Sequence, residues 1–233
     1  AYLSDAEPVR VEVTSKKSAL IHSGALAQRV YAVLGRPIAE ERDVSTTVWV
    51  RVFRDQVTVS VDVGAGRLHR RGWRQVSGAA PLRETFAASL VRLARAAEAA
   101  VVWDPFCGSG TLLVEACLAA QQRAPRTYDE MAFSRWPSHD ADAFNAWSMS
   151  CVNRGTTIGE YIGSEVDAEV IAAATSNVER AGVAGLVTVR HEDMANGFNH
   201  ISEGAVIVSN TPYGKRLRGG RALRQLFERF GEG

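Results

Sequence analysis

The sequence is poor in cysteine and has no long apolar run, and both shortages exclude classes of protein. Its three cysteines, Cys107, Cys117 and Cys151, form no CxxC pair and cannot all be bridged. This argues against a cysteine zinc site and fits a reducing compartment. No apolar run reaches the roughly 18 residues of a membrane span, and no signal peptide opens the chain. We therefore expect an intracellular protein with no membrane partner.

Length and composition are those of an ordinary globular protein. The chain has 233 residues, of which 46% are hydrophobic and 23% are charged, which suits one or two domains with a sizeable core. It begins at Ala1 rather than at methionine, so we expect a processed product or a piece of a longer protein. The expected compartment is the cytoplasm or an organellar matrix, the mitochondrial matrix being the case if a targeting peptide has been removed.

Lysine is also scarce, and the arginines that replace it are unevenly distributed. The net charge is +1, and only Lys16, Lys17 and Lys215 of the 27 basic residues are lysine. The stretches 63–83 and 211–227 contain basic residues but no acid. Guanidinium groups suit bidentate phosphate contacts and stacking on bases, so these stretches predict contacts with RNA. The predicted RNA-binding residues are Arg70, Arg71, Arg74, Lys215, Arg216 and Arg218.

The first third of the chain predicts a small α+β segment. Alternating apolar residues indicate a strand at 9–14, helical spacing indicates a helix at 24–34 with Ser23 as its N-cap, and two valine-rich runs at 46–53 and 57–63 indicate a hairpin. Residues 64–78 form a basic connector that contains glycine. We place the domain boundary there and predict domains at 1–75 and 76–233.

The second domain predicts a doubly wound α/β fold with a mainly parallel sheet. It opens with a helix from about residue 82 to residue 100. Short apolar strands are then expected at 101–103, 161–164, 186–190 and 205–209, and helices at 111–121 and 168–181. In such folds ligands bind outside the carboxyl ends of the strands. An insert at 123–159 interrupts the pattern, with helix expected near 141–152.

The segment from Asp104 to Thr111, DPFCGSGT, predicts a ligand-binding loop between the first strand and helix of this domain. Its two glycines allow a ligand to approach the backbone closely. Leu113 stands where a dinucleotide fingerprint needs a third glycine, and a P-loop's Gly-Lys-Ser/Thr is missing. Because Asp104 lies in the turn itself, a cationic ligand fits better than a pyrophosphate.

This loop resembles the Asp-x-Phe-x-Gly-x-Gly loop with which many methyltransferases hold S-adenosylmethionine. The resemblance implies that acids follow the next two strands, where Glu165 would bind the ribose and Asp193 the adenine amine. Asp167, close to Glu165, has an alternative role as the N-cap of the next helix. The implied cofactor-binding residues are Asp104, Pro105, Phe106, Gly108, Ser109, Gly110, Thr111, Glu165, Val166, Asp193 and Met194.

The fourth strand is followed by Asn210, Thr211, Pro212 and Tyr213, which resemble the Asn/Asp-Pro-Pro-Tyr/Phe motif of enzymes that methylate exocyclic amines. In that chemistry the Asn210 side-chain oxygen and the Thr211 carbonyl accept the two amine hydrogens, and Tyr213 stacks on the base. Thr211 replaces the usual proline, although its carbonyl remains and Pro212 still favours an extended backbone before it. These four residues are the predicted catalytic motif.

Three stretches together resemble the THUMP-associated class I RNA methyltransferases, in particular those similar to the bacterial enzyme that makes N2-methylguanosine in large-subunit ribosomal RNA. They are DPFCGSGTLLVE at 104–115, RLHRRGWRQVSGAAPLRETFAA at 67–88 and NTPYGKRL at 210–217. The resemblance implies a Rossmann-like methyltransferase domain. It also implies that 1–75 is the end of a THUMP domain and that the seven-stranded family sheet is incomplete at the C-terminus.

The expected function is therefore methylation of the exocyclic N2 of a guanosine in structured RNA, with ribosomal RNA as the partner and transfer RNA as the alternative. A second hypothesis is a ribosome-assembly or RNA-binding factor that keeps the fold without turnover. A third places the substrate amine on DNA adenine or on a protein glutamine. The five histidines show no metal-ligand spacing, so no metal is expected. The oligomeric state and the modified nucleotide stay open.

Overall fold

The computed structural model describes residues 2–3, 7–39, 46–64, 67–75, 82–124, 131–151, 159–198, 201–212, 224 and 228. The chain divides into two compact units. The first comprises Ala1–Leu68 and Arg126–Cys151, and the second comprises His69–Pro125 and Val152–Gly233. Within the described ranges, no helix combines the length and the apolar character needed to cross a membrane.

The first unit is built on a three-stranded sheet with a helix packed against it. Its elements are β1 Val9–Lys16, α1 Ser23–Leu34, β2 Thr46–Phe53 and β3 Gln56–Val61. β1 runs parallel to β2, and β3 pairs antiparallel with β2. The tight turn between β2 and β3 contains Arg54 and Asp55, both with positive φ. The predicted strands, helix and hairpin are therefore present.

Alternation along β1 and β2 separates a core face from an outer face. Val48, Val50 and Val52 of β2 are buried with Val11 of β1, and the apolar side of α1 packs on them. The hydroxyl of Tyr31 on α1 accepts a hydrogen bond from the backbone N–H of Val11 at 2.9 Å. The helix thus covers the core and is also joined to the sheet by this hydrogen bond.

Most of the insert, residues 126–151, belongs to the first unit. It contains a 3₁₀ turn at Ala132–Arg135 and α4 at Ala141–Cys151. The indole N–H of Trp136 donates to the hydroxyl of Thr46 at 3.3 Å, and the backbone N–H of Phe133 donates to the carbonyl of Val63. The compact units therefore differ from the predicted ranges 1–75 and 76–233, because these contacts join distant parts of the sequence.

The second unit contains a four-stranded, wholly parallel sheet in the order β6-β5-β4-β7. The strands are β4 Val101–Asp104, β5 Glu160–Glu165, β6 Val187–His191 and β7 Val206–Ile207, and the helices are α2 Glu84–Leu93, α3 Thr111–Ala120, α5 Ala168–Arg180 and α6 Met194–Gly197. The chain moves from β4 outward to β6 and then returns to the other side of β4. This arrangement confirms the predicted α/β fold with a parallel sheet.

The central helix α3 is the most deeply buried helix of the second unit. All its residues except Ala119 are buried, so it shows no exposed polar face and packs against β4, β5 and α2. The predicted helix at 82–100 is shorter than expected, because Arg95 adopts a left-handed conformation and separates α2 from a 3₁₀ turn at Ala96–Glu98. Likewise, the N-cap of α1 is His22 rather than Ser23.

Candidate functional site

The candidate site lies at the carboxyl edge of the parallel sheet in the second unit. Because all four strands run in the same direction, the residues that end or follow them meet at one edge. Asp104 ends β4, Glu165 ends β5, and Asp193 and Asn210 follow β6 and β7 closely. The strand order reverses at β4, where neighbouring connections leave in opposite directions. Such a reversal opens a crevice in which ligands bind.

Asp104 is the buried acid of this edge. Only 1% of the residue is exposed, and its Oδ1 accepts hydrogen bonds from the hydroxyl of Ser209 at 2.6 Å and from the backbone N–H of Phe106 at 3.2 Å. The pKa of Asp104 is raised to about 7, chiefly by burial; the hydrogen bonds from Ser209 and Phe106 oppose the rise, and the nearby Glu165 adds to it. The carboxyl group is therefore poised to change its charge near neutral pH.

The loop after β4 folds back over β5 and keeps its glycines in left-handed conformations. Gly108 has φ +53° and Gly110 has φ +78°, which residues with a Cβ rarely adopt. The backbone N–H of Cys107 donates to the carbonyl of Ser164 at 3.1 Å. Below the loop, a Cβ on Gly163 would lie 2.6 Å from Leu113 Cδ1. The loop thus depends on a residue without a side chain in the neighbouring strand.

Glu165 fastens this loop to the end of β5. Its Oε2 accepts a hydrogen bond from the backbone N–H of Gly108 at 3.2 Å, and its Oε1 accepts from the N–H groups of Val166 and Asp167. Asp167 is the N-cap of α5, where it accepts from Glu169 N–H at 2.9 Å. The local alternative for Asp167 is therefore observed, and of these two acids after β5 it is Glu165 that contacts the glycine loop.

The side chains of Ser109 and Thr111 point into the protein rather than outward. Both residues are buried, and their hydroxyls lie 3.4 Å apart. Asn177 of α5, which the sequence analysis did not single out, donates from Nδ2 to the carbonyl of Ser109 at 3.1 Å. The side chains of these two predicted cofactor residues therefore shape the loop from its buried side. Pro105 is buried as well, whereas Phe106 and Gly108 are partly exposed.

A second polar network beneath the edge was missed by the sequence analysis. The indole N–H of the fully buried Trp103 donates to the hydroxyl of Ser164 at 3.1 Å, and that hydroxyl donates to Glu192 at 2.9 Å. The ring of Phe198 packs edge-on against Trp103, with 4.8 Å between the centroids. A tryptophan and a serine inside two apolar strands were the available signal, because buried polar groups require partners.

Asp193 and its neighbours form the end of the site beside β6. Asp193 is the N-cap of the short α6, where it accepts from Ala195 N–H at 3.0 Å. Met194 is buried, whereas Val166, beyond β5, is 62% exposed. Asp193 therefore has a local structural role in addition to its predicted role at the adenine.

The predicted catalytic motif follows the shortest strand of the sheet. Only Val206 and Ile207 pair with β4, rather than the predicted 205–209. Two further hydrogen bonds extend the attachment, from Val208 N–H to the carbonyl of Trp103 at 3.1 Å and from Ser209 to Asp104. Asn210, Thr211 and Pro212 are partly buried, and Tyr213 lies outside the described residues. Asn210 is thus adjacent in sequence to the residue that contacts Asp104.

Two predicted RNA-binding arginines have buried acidic partners instead. The guanidinium group of Arg71 donates to both oxygens of Glu115 at 3.1 Å, and Arg74 donates to Glu84 at 3.0 Å. Glu115 and Glu84 are themselves buried. A buried carboxylate needs a counter-charge, so these arginines are assigned to internal ion pairs and not to phosphates. Arg70 is exposed; Lys215, Arg216 and Arg218 lie outside the described residues.

The cysteines of the second unit act as packing residues. Cys107 and Cys117 are both buried and unbridged. Burial raises the pKa of each thiol, and Asp104 raises that of Cys107 further. A protonated thiol is a poor nucleophile, so Cys107 contributes shape to the loop. Among the described residues, no group of three or more His, Cys, Asp or Glu side chains could hold a metal ion.

A family model described as UPF0020, RMKL-like, methyltransferase domain, matches residues 71–233, which is more than half of the chain. The match covers every residue discussed at the carboxyl edge of the sheet. The predicted cofactor, S-adenosylmethionine, agrees with a methyltransferase domain.

Several solved structures are similar to this chain over nearly its whole length. A Listeria monocytogenes protein described as an N6-adenine-specific DNA methylase is 29% identical, with a TM-score of 0.75 over 99% of this chain. A protein from Clostridium difficile 630 described as a methylase is 28% identical, with a TM-score of 0.76 over 99% of the chain. SMU.472, described as a methyltransferase complexed with SAH, is 23% identical, with a TM-score of 0.78 over 99%. The chain spans 63% or 64% of these proteins.

Proposed function

From the premise that this chain belongs to the RMKL-like methyltransferase-domain family, we propose that it transfers a methyl group from S-adenosylmethionine to the exocyclic N2 of a guanosine in structured RNA. Ribosomal RNA is the proposed partner. The observation that carries the proposal is the meeting of a buried acid, Asp104, with the segment that leads into Asn210 at the point where the strand order reverses.

The donor chemistry suits the acids of the site. S-adenosylmethionine carries a sulfonium and an α-ammonium group, and Asp104 and Glu165 supply negative charge on either side of the glycine loop. Asp104 would hold the methionine end, Glu165 the ribose and Asp193 the adenine amine. When bound, the donor would supply an electrophilic methyl group, and the acids at the carboxyl edge of the sheet would orient it. SAH in SMU.472 is the product that remains after such a transfer.

We expect donor binding to strengthen as the pH rises through about 7. The pKa of Asp104 is raised to about 7, so at lower pH its carboxyl group is mostly neutral and attracts a cation less. Below the midpoint, affinity should change by up to about tenfold per pH unit and then level off above it. Isothermal titration calorimetry with S-adenosylmethionine measures this pH dependence of the affinity. A range from about pH 5.5 to about pH 7.5 spans the midpoint.

Asp104→Asn provides the control for that titration. The amide keeps the shape of the carboxyl group but cannot ionise, so the variant should bind weakly and almost independently of pH over the same range. A wild-type affinity that stays flat across pH 7, or a variant that keeps the wild-type slope, would show that another group controls binding.

The acceptor chemistry suits an amide oxygen beside the methyl donor. The lone pair of an exocyclic amine is delocalised into the ring, so the nitrogen must become more tetrahedral to attack. The Asn210 oxygen and the Thr211 carbonyl would accept the two amine hydrogens and direct the lone pair toward the methyl group, and Tyr213 would stack on the base. As the N–CH₃ bond forms, the S–CH₃ bond breaks and S-adenosylhomocysteine leaves. The methylated nitrogen, now cationic and acidic, loses one proton to water, so no strong general base is needed.

A paired guanosine hides its N2, so the target base would be single-stranded or flipped into the pocket. The exposed Arg70 remains a candidate for a flanking phosphate, and we propose Lys215, Arg216 and Arg218 for the same task on their sequence pattern. We also propose that residues 1–75 are the end of a THUMP domain, in keeping with the βαβ arrangement and hairpin of β1 to β3.

Asn210→Ala tests the proposal. Loss of one preorganised acceptor should lower kcat by about 10²–10³-fold, whereas donor affinity should change little because Asp104 and Glu165 remain. The measurement is radiolabelled methyl incorporation into cellular RNA by the full-length protein, followed by mass spectrometry of the nucleosides. Asn145→Ala is the matched control, since Asn145 lies exposed on α4 of the other unit.

The outcomes distinguish the candidate functions. N2-methylguanosine in ribosomal RNA supports the proposal, and the same product in transfer RNA keeps the reaction but changes the partner. Label in DNA adenine would favour the activity by which the 29% identical Listeria protein is described. A wild-type protein that binds the donor but labels no nucleic acid, and an Asn210→Ala variant that works normally in cells, would favour an assembly factor without turnover.

A further inference from the structure

We propose that Ser209 is a positioning residue that couples the donor-binding acid Asp104 to the amine-binding segment at Asn210. The inference rests on the proposed function and deepens it, because it names the group that sets the distance between the two halves of the reaction. Ser209 belongs to neither the glycine loop nor the four-residue motif at 210–213.

Within the described residues, few hydrogen bonds attach the motif at 210–213 to the sheet. Regular pairing between β7 and β4 ends at Ile207. Two hydrogen bonds then follow. The backbone N–H of Val208 donates to the carbonyl of Trp103, and the hydroxyl of Ser209 donates to Asp104. Among the described residues, the Ser209 hydroxyl makes the last contact with β4 before Asn210. The position of Asn210 therefore depends on this hydroxyl.

The partner of Ser209 is itself firmly held. Asp104 ends β4 in the centre of the sheet, is almost completely buried, and also accepts from Phe106 N–H of the glycine loop through the same Oδ1. One carboxylate oxygen thus joins the donor loop and the acceptor segment. A hydrogen bond to an ionised carboxylate at 2.6 Å is in the short, strong class. Donor and acceptor would be aligned through this single atom.

The same hydroxyl also influences the charge of Asp104. Burial raises the pKa of this carboxyl group, and the hydrogen bond from Ser209 lowers it. Among the residues that the structure describes, Glu165 and the Cys107 thiol are the other ionisable groups that interact with it. Glu165 raises the pKa of Asp104, so it cannot replace the effect of Ser209. Removal of the hydroxyl should therefore weaken donor binding near neutral pH as well as loosen the acceptor segment.

Ser209→Ala in the full-length protein tests the inference. We expect kcat for methyl transfer to fall by about tenfold or more. Because the substitution removes no RNA contact, KM for RNA should stay within about twofold of the wild-type value. The pH midpoint of donor binding should move upward. Ser209→Thr keeps a hydroxyl and should restore both the rate and the midpoint. Ser202→Ala, at an exposed serine of the same segment, should match wild type.

A purely structural serine would leave the pH midpoint unchanged, so a Ser209→Ala variant with wild-type kcat or an unshifted midpoint overturns the inference. If the alanine variant does not fold, Ser209→Cys and Ser209→Thr still separate a thiol from a hydroxyl at similar volume, and equal activity of the two overturns it. A wild-type protein that binds no donor would instead remove the proposed function itself.

Discussion

Replacement of Arg71 by alanine is expected to lower the free energy of unfolding of the protein by about 3–5 kcal/mol, because it leaves the buried Glu115 without a partner. Both guanidinium bonds to Glu115 are 3.1 Å long, and the two side chains are only 10% and 5% exposed. Burial already raises the pKa of Glu115, and Arg71 opposes that rise. Urea unfolding at about pH 7 measures this loss of stability.

The double variant Arg71→Met with Glu115→Leu is the informative companion. It removes both charges at similar volume, so it should recover most of the stability that the single variant loses. Arg92→Ala, at an exposed arginine of α2, should stay within about 0.5 kcal/mol of wild type. If the Arg71 variant lost less than about 1 kcal/mol, the value typical of exposed pairs, the pair would be solvated and Arg71 would return to the phosphate-binding candidates.

Gly163→Ala is expected to destabilise the second unit by about 1–3 kcal/mol and to weaken donor binding at the same time. The new Cβ would lie 2.6 Å from Leu113 Cδ1 and 2.8 Å from both Cβ and Sγ of Cys107. Leu113 is held in the centre of α3, so the loop at Cys107 must move. Thermal unfolding and calorimetry with S-adenosylmethionine measure the two effects.

Gly185→Ala separates this steric effect from a general intolerance of alanine. No atom lies within 4 Å of the position that its Cβ would occupy, so that variant should be neutral or slightly more stable. Cys107→Gly in the Gly163→Ala background removes two of the three close contacts and should recover part of the stability. A Gly163→Ala variant that unfolds and binds like wild type would mean that the glycine loop is loosely packed on β5.

The two ion pairs also explain why a basic stretch is not always a binding surface. The five arginines between residues 63 and 83 look alike in the sequence, yet Arg70 is exposed while Arg71 and Arg74 have buried partners. The available signal was Glu115, an acid within the apolar helix Thr111–Ala120. An acid surrounded by apolar residues needs a cation from elsewhere in the chain, and Arg71 supplies it across 44 positions.

Features that depend on neighbouring residues could be predicted well. Strand alternation at 46–53, the helix that begins at Thr111 and the glycine loop before it result from local periodicity and backbone freedom, and the structure contains all three. The strand at 205–209 was predicted less well, since only Val206 and Ile207 pair with β4. The strand β4, with which this segment pairs, is distant in the sequence. Apolar residues that pair with a distant strand and apolar residues that do not pair cannot be told apart by sequence pattern.

By itself the sequence determined the alternation of strands and helices, and with it the parallel sheet and the edge at which Asp104, Glu165, Asp193 and Asn210 are found. Only the tertiary structure decided which side chains meet there: Ser209 reaches Asp104 across 105 positions, and Arg71 reaches Glu115 rather than solvent. The physical reason is that periodicity and turn chemistry act within a few residues, whereas the desolvation of a buried charge is compensated by whichever partner the folded chain brings beside it.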